Sequence, residues 1–158
     1  MTLEEFKEYY EINGRLPNGQ KEIKQGWNYQ YKKYLKKQKK KDDWVEAREK
    51  AYRRNPNGEQ FFNALTDQEY NFYSNLYGIF ATLDPCHIIG KGECPKKELM
   101  NNPDNILVAP RYFHSYIDTF KNPFTQEHEL ITKEQREQIW IRFIGQEMWD
   151  ELQELKRS

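Results

Sequence analysis

Asp84, His87, Asn105, His114 and Asp118 lie within one stretch of the chain, and two of its three histidines are among them. His114 and Asp118 are four apart, so on a helix they sit one turn above each other and can offer a nitrogen and a carboxylate oxygen to one ion. Imidazole with carboxylate suits a divalent cation. His87, with an ordinary pKa of about 6.5, can take a proton from water near neutral pH, which a metal-bound imidazole cannot. Asn105 has donors and an acceptor with which to tie one loop to another.

The elements that must position these groups follow from the local pattern. His87, Ile88 and Ile89 form a short apolar run that ends at Gly90 and Gly92, predicting a strand closed by a turn. Asp84, before Pro85, reads as a turn former. A second run, Ile106-Leu107-Val108-Ala109, stops at Pro110, and residues 111–120 then predict a short helix with Pro110 at its first position. Strand, loop, strand, helix is the order of a ββα unit, with Asn105 placed to bridge the loop back to the first strand or, after Asn102-Pro103-Asp104, to serve an ordinary turn.

These residues and their order resemble the HNH, or ββα-metal, endonucleases. That family carries a catalytic His on a strand, an Asn just before a second apolar strand and a final His at the start of a helix. By position these are His87, Asn105 and His114, with Asp118 at the second helical ligand place. The Asp-x-x-His opening, Asp84 to His87, looks like phage-encoded members, including junction-cleaving recombination nucleases. The resemblance implies a metal-dependent hydrolase of DNA phosphodiester bonds. His87 would be the general base, Asn105 the residue that holds its loop, and one divalent cation, magnesium or manganese, would sit on Asp84, His114 and Asp118. Lys91 and Arg111 would hold backbone phosphates.

The sequence departs from the family at two places. Where many relatives have a ligand directly before the catalytic His, this chain has Cys86, so the third ligand is either Asp84 or a Cys86 thiolate, which would favour zinc. The chain has only two cysteines, Cys86 and Cys94, and cannot build a four-cysteine zinc knuckle. The alternative reading is a non-catalytic nucleic-acid-binding protein in which Cys86, His87, Cys94 and His114 hold a structural zinc. A weaker one is an accessory subunit of a larger phage DNA-processing machine.

The 158 residues suffice for one domain with a core. With 37% hydrophobic and 15% aromatic residues, that core must lean on Tyr, Phe and Trp. No apolar run has the length of a membrane span, and the amino terminus lacks the pattern of a signal peptide, so a cytoplasmic location is expected.

The net charge is zero, but residues 21–54 contain ten Lys and three Arg against five acidic residues, a local surplus of eight. Such a segment suits a polyanion, here DNA. Lys32, Lys33, Lys36, Lys37 and Lys40 are its candidate phosphate contacts. The plainer reading of any one of them is a solvated lysine on an exposed helix face.

In chain order, Thr2 and Glu5 predict a capped helix over 3–12. Ile23, Trp27, Tyr31 and Leu35 predict an amphipathic helix over 21–41, and Asp42 and Asp43 would cap a further helix to residue 54. The break at 55–58 suggests a basic helical region, 1–55, followed by the nuclease domain, 56–158. Thr66 predicts a helix over 67–76 that buttresses the first strand, with Phe62, Leu65, Tyr70, Tyr73, Leu76 and Tyr77 available to pack. His128 falls in a polar connection. Thr132 predicts a final helix carrying Ile139, Trp140, Phe143 and Ile144, which Gly145 ends or kinks before Met148, Trp149 and Leu152 resume the pattern. The expected class is α+β, mostly helical, with a ββα-metal (HNH) motif packed with N- and C-terminal helices.

Overall fold

A computed structural model describes residues 1–77, 82–94, 96–125, 127 and 129–158, the side chains of residues 76 and 77 excepted. His128, and the packing expected of Leu76 and Tyr77, lie outside the described residues. The described residues are mostly helical with one small antiparallel sheet among them, an α+β architecture, and the chain divides into two compact units, Met1–Val45 and Glu46–Ser158.

In the first unit, α1 (Leu3–Asn13) starts at the Thr2–Glu5 capping box and ends at Gly14, whose φ of 64° closes the helix. Helix α2 spans Trp27–Arg54. The expected start near residue 21 is corrected: Gly26, at φ 81°, precedes the first turn, and residues 21–26, Ile23 among them, are not helical. The expected second helix capped by Asp42 and Asp43 is also corrected. Between Trp27 and Arg54 there is no Pro or Gly to stop the helix, and Asp42 instead accepts from Gln38 one turn earlier, at 3.0 Å. Phe6 is fully buried against Trp27, Tyr31 and Tyr34, with ring centroids at 6.4, 5.5 and 5.2 Å. Tyr34 thus takes the stripe position expected of Leu35, which is exposed.

In the second unit, α3 (Glu59–Phe62) and α4 (Asp67–Tyr77) precede strand β1 (Leu83–His87). Thr66 and Glu69 cap α4 reciprocally, at 2.8 and 3.2 Å. Its buried Tyr73 meets Phe61, Tyr112 and Phe124, while Tyr70, expected in the core, is exposed. A 3-10 turn at Lys91–Glu93, α5 (Lys97–Met100) and a second 3-10 turn at Pro103–Asn105 lead to β2 (Ile106–Pro110) and α6 (Arg111–Asp118). The strands pair antiparallel, with Asp84 opposite Ala109, Cys86 opposite Leu107 and His87 opposite Ile106.

The first strand therefore ends at His87, where the sequence placed its beginning, and Asp84 with Pro85 lies in the ladder and not in a turn. In a two-stranded sheet both strands are edges, the setting that tolerates a Pro. Ile88 and Ile89, beyond the sheet, are buried in the core. Pro110 belongs to β2 and caps α6 from outside; α6 stops at Asp118, two residues short of expectation.

Helices α7 (Lys133–Ile144) and α8 (Gln146–Arg157) complete the unit. Thr132 and Gln135 form the capping box of α7. The core is aromatic as composition requires: Phe113 lies 4.9 Å from Phe61, 5.3 Å from Phe143 and 5.7 Å from Trp140, mostly edge to face. Gly145 joins the two helices at φ 86° and ψ 156°, a region essentially closed to other residues. Gly145→Ala is expected to cost about 1–3 kcal/mol of stability, read as a fall of several degrees in the thermal midpoint.

Candidate functional site

Helix α6 presents two adjoining faces. Phe113 and Ile117, four apart, are fully buried in the core. His114 and Asp118, one residue further round, meet through His114 Nε2 and Asp118 Oδ2 at 3.0 Å. Because α6 follows β2 without a linker, the same face meets the neighbouring strand, and Asp84 Oδ2 of β1 lies 3.2 Å from His114 Nδ1. Arg111, in the first turn of α6, reaches Asp84 through Nε and Nη2 at 3.3 and 3.4 Å while its side chain stays largely exposed.

One imidazole thus bridges two carboxylates, each on its own ring nitrogen. Both nitrogens can donate only as imidazolium. The Asp118 bond, then the Asp84 bond, raise the pKa of His114 above its usual value against the opposing effect of burial. A raised folded-state value contributes stability that is fully present below the unfolded pKa, about 6.5, and is lost as pH rises through the folded value. An NMR titration of the metal-free protein is expected to put the His114 midpoint above about 6.5, and Asp118→Asn to bring it down.

His87, at the end of β1, is 8% exposed, and its Nε2 lies 2.9 Å from the Met100 carbonyl. Only a protonated nitrogen can bond a carbonyl, so in the neutral ring the lone pair is on Nδ1. Burial lowers its pKa, and the charges of Lys91 and His114 push the same way; the Met100 bond and Asp118 oppose them. His114 and Asp118 are therefore within electrostatic reach of His87, and the two imidazoles are tuned in opposite directions, His87 toward the neutral ring and His114 toward the protonated one.

Asn105, fully buried, locks the loop between the strands. Its Oδ1 accepts from Ile89 N–H at 2.8 Å, and its Nδ2 donates to the carbonyls of Ile89 and Leu99 at 3.1 and 3.2 Å. The Leu99 carbonyl belongs to α5, the helix whose Met100 holds His87. Asn105 thus fixes both the end of β1 and the residue beside the histidine's anchor.

Cys86, the other candidate for third ligand, is buried in the core with its thiol directed at the Asp84 carbonyl, 3.6 Å away. Burial, reinforced by Asp118 and Asp84, pushes its pKa well up and keeps it a thiol. Cys94 is also free and donates to the Ile89 carbonyl at 3.3 Å. Among the described residues no group of three or more His, Cys, Asp or Glu stands ready to hold a metal ion. Asp84 and Asp118 flank the two nitrogens of His114 and do not converge on one point. Their chemistry, two carboxylates and an imidazole, nonetheless fits a hard divalent cation, which would have to displace the shared proton.

Lys91 is exposed on the 3-10 turn after the site. Lys32, Lys33, Lys36, Lys37 and Lys40 are all exposed along α2 in the N-terminal unit. Two long-range partners of the hairpin were not legible in the sequence. Tyr52 donates to the Leu83 carbonyl at 2.7 Å, and Arg54 pairs with Asp104 at 2.6 Å, next to Asn105. No local signal links residues so far apart.

No family model, curated protein or solved structure matches the chain. Among the described residues no helix is long and apolar enough to cross a membrane.

Proposed function

We propose that the protein is a metal-dependent endonuclease of the HNH type that hydrolyses DNA phosphodiester bonds. The observation that carries this reading is the pairing of two differently tuned imidazoles on one strand-helix unit. His87 is kept neutral with its lone pair on Nδ1, and His114 is held between Asp84 and Asp118. Divergent tuning of neighbouring titratable groups is what acid-base chemistry near neutral pH requires.

In this reading His87 Nδ1 takes a proton from water as its oxygen bonds to phosphorus. The P–O3′ bond breaks, leaving a 5′-phosphate and a 3′-oxygen that is protonated by solvent. His114, with Asp84 and Asp118, would hold the divalent cation, magnesium or manganese by donor type, which would neutralise charge on the phosphate and leaving oxygen. Asn105 keeps the His87 loop in place, and Met100 keeps its tautomer. Arg111 orients Asp84, and with Lys91 it adds positive charge where backbone phosphates would lie. The exposed lysines of α2 would add sequence-independent, salt-sensitive attachment. The phage affiliation and the cytoplasmic setting belong to the same reading.

The direct test is nicking of supercoiled plasmid. With magnesium or manganese the expected products are nicks that DNA ligase reseals, because they carry a 5′-phosphate and a 3′-hydroxyl; chelation abolishes them. Failure to cut duplex, single-stranded and branched DNA with magnesium, manganese or zinc would overturn the reading.

A further inference from the structure

The C-terminal third of the chain reads as acidic, yet α7 and α8 bring three cations together beside the candidate site. Lys156, in the last turn of α8, donates to Glu93 Oε2 at 2.9 Å. Arg136 and Lys133 of α7 act on the same carboxylate; with the Lys156 bond leading, the three hold Glu93 below the usual carboxylate range. With Asp118, which also acts on Arg136, counted beside Glu93, three positive charges against two negative leave a surplus of one.

Arg136 is the fixed member. Its Nε donates to the Ile117 carbonyl at 3.0 Å, and its guanidinium lies 5.0 Å from the Phe120 ring and 5.8 Å from that of Trp140. Ile117 immediately precedes Asp118, whose charge Arg136 feels. On the other side, Glu93 ends the 3-10 turn that begins at Lys91, and the Lys91 charge reaches His87. Through the Ile117 carbonyl, Arg136 thus adjoins the Asp118 side of the site. Arg111 and the bound cation would offset Asp84 and Asp118, but at this edge of the site Glu93 would otherwise repel an approaching polyanion.

We infer that Lys133, Arg136 and Lys156 form a second seat for the DNA backbone, gripping a phosphate near the one that is cut, with Glu93 organising and moderating the seat. This rests on the nuclease reading of the neighbouring site. The planar guanidinium, braced on two rings and a carbonyl, suits a phosphate, and the flanking lysines add charge at its rim.

The test uses the whole 158-residue chain. Binding of a short fluorescent duplex is followed across salt concentrations in chelator, and plasmid nicking is followed with manganese. Lys133→Glu and Lys156→Gln are each expected to reduce the salt slope of log affinity by about one. KM should rise several-fold in step with the dissociation constant, with kcat little changed. Lys133 is the first residue of α7, where a carboxylate favours the helix dipole, so weakened binding by Lys133→Glu cannot be ascribed to a lost helix. Glu93→Gln is expected to tighten binding, an effect opposite to that of losing a merely structural ion pair.

Unchanged binding and KM in the lysine variants, with nicking intact, would overturn the seat alone. Weaker binding by Glu93→Gln would also overturn it. No nicking by the wild type, with the binding shifts as expected, would overturn the hydrolase reading and leave the seat standing.

Discussion

His87→Ala is expected to lower the nicking rate by about 10²–10⁴-fold, the usual contribution of a positioned general base, while affinity for DNA stays close to that of the wild type. The ring is small, mostly buried and bonded through Nε2 to Met100, so its loss removes the proton acceptor without removing a surface charge. His87→Gln retains a donor for the Met100 carbonyl and should fold as the wild type does while remaining inactive. In the wild type the acid limb of kcat/KM should fall below about pH 6.5, because burial together with the charges of Lys91 and His114 disfavours the protonated ring. The stability linkage has the opposite sign to that of His114. A depressed histidine pKa contributes stability above the unfolded value that is lost as pH falls through the folded one.

Asn105→Ala should be the most damaging single change to the scaffold of the site. It leaves the Ile89 N–H without its partner in a fully buried place and takes the Nδ2 bonds from the Ile89 and Leu99 carbonyls, which keep the Cys94 thiol and the Asn102 N–H. At roughly 1–3 kcal/mol for the unsatisfied N–H and about 1 kcal/mol for each of the two lost carbonyl bonds, the loss is about 3 kcal/mol or more. Denaturant unfolding should report it as a lower midpoint at similar slope. Activity should fall by more than the unfolded fraction explains, because α5, which carries the Met100 anchor, loses its tie to the strands. Asn105→Asp keeps the acceptor for Ile89 N–H but turns a carboxylate toward two carbonyls, so it should rescue neither stability nor activity.

What could be read from the sequence was what depends on near neighbours. The capping boxes at Thr2 and Thr132, the stop at Gly145 and the apolar run of β2 are local signals, and each element formed where its signal stood. Asn105 was legible as a bridge from its place at the opening of the second strand, though the turn-rich Asn102-Pro103-Asp104 before it allowed an ordinary turn role as well, and the i, i+4 spacing of His114 and Asp118 dictated their contact. What failed depended on tertiary context. The apolar triplet at 87–89 looked more strand-like than Leu83-Asp84-Pro85-Cys86, but its isoleucines fill the core outside the sheet, and pairing with β2 drew in the polar residues. Asp42 and Asp43 looked like a helix start only because a single helix as long as α2 has no local signature once side-chain bonds such as Gln38 to Asp42 replace capping. The gathering of Lys133, Arg136 and Lys156 needs the reversal at Gly145, and the Tyr52 and Arg54 ties to the hairpin need the whole fold.

The central claim is that His114, Asp84 and Asp118 hold one divalent cation while His87 stands beside it without binding it. Anomalous diffraction from a crystal soaked in manganese tests it most directly. The expected result is a single strong peak ligated by His114 and by carboxylate oxygens of both Asp84 and Asp118, turned from the ring's separate nitrogens onto the ion, with His87 still bonded to Met100. Manganese bound elsewhere, or coordinated by His87 itself, would contradict it.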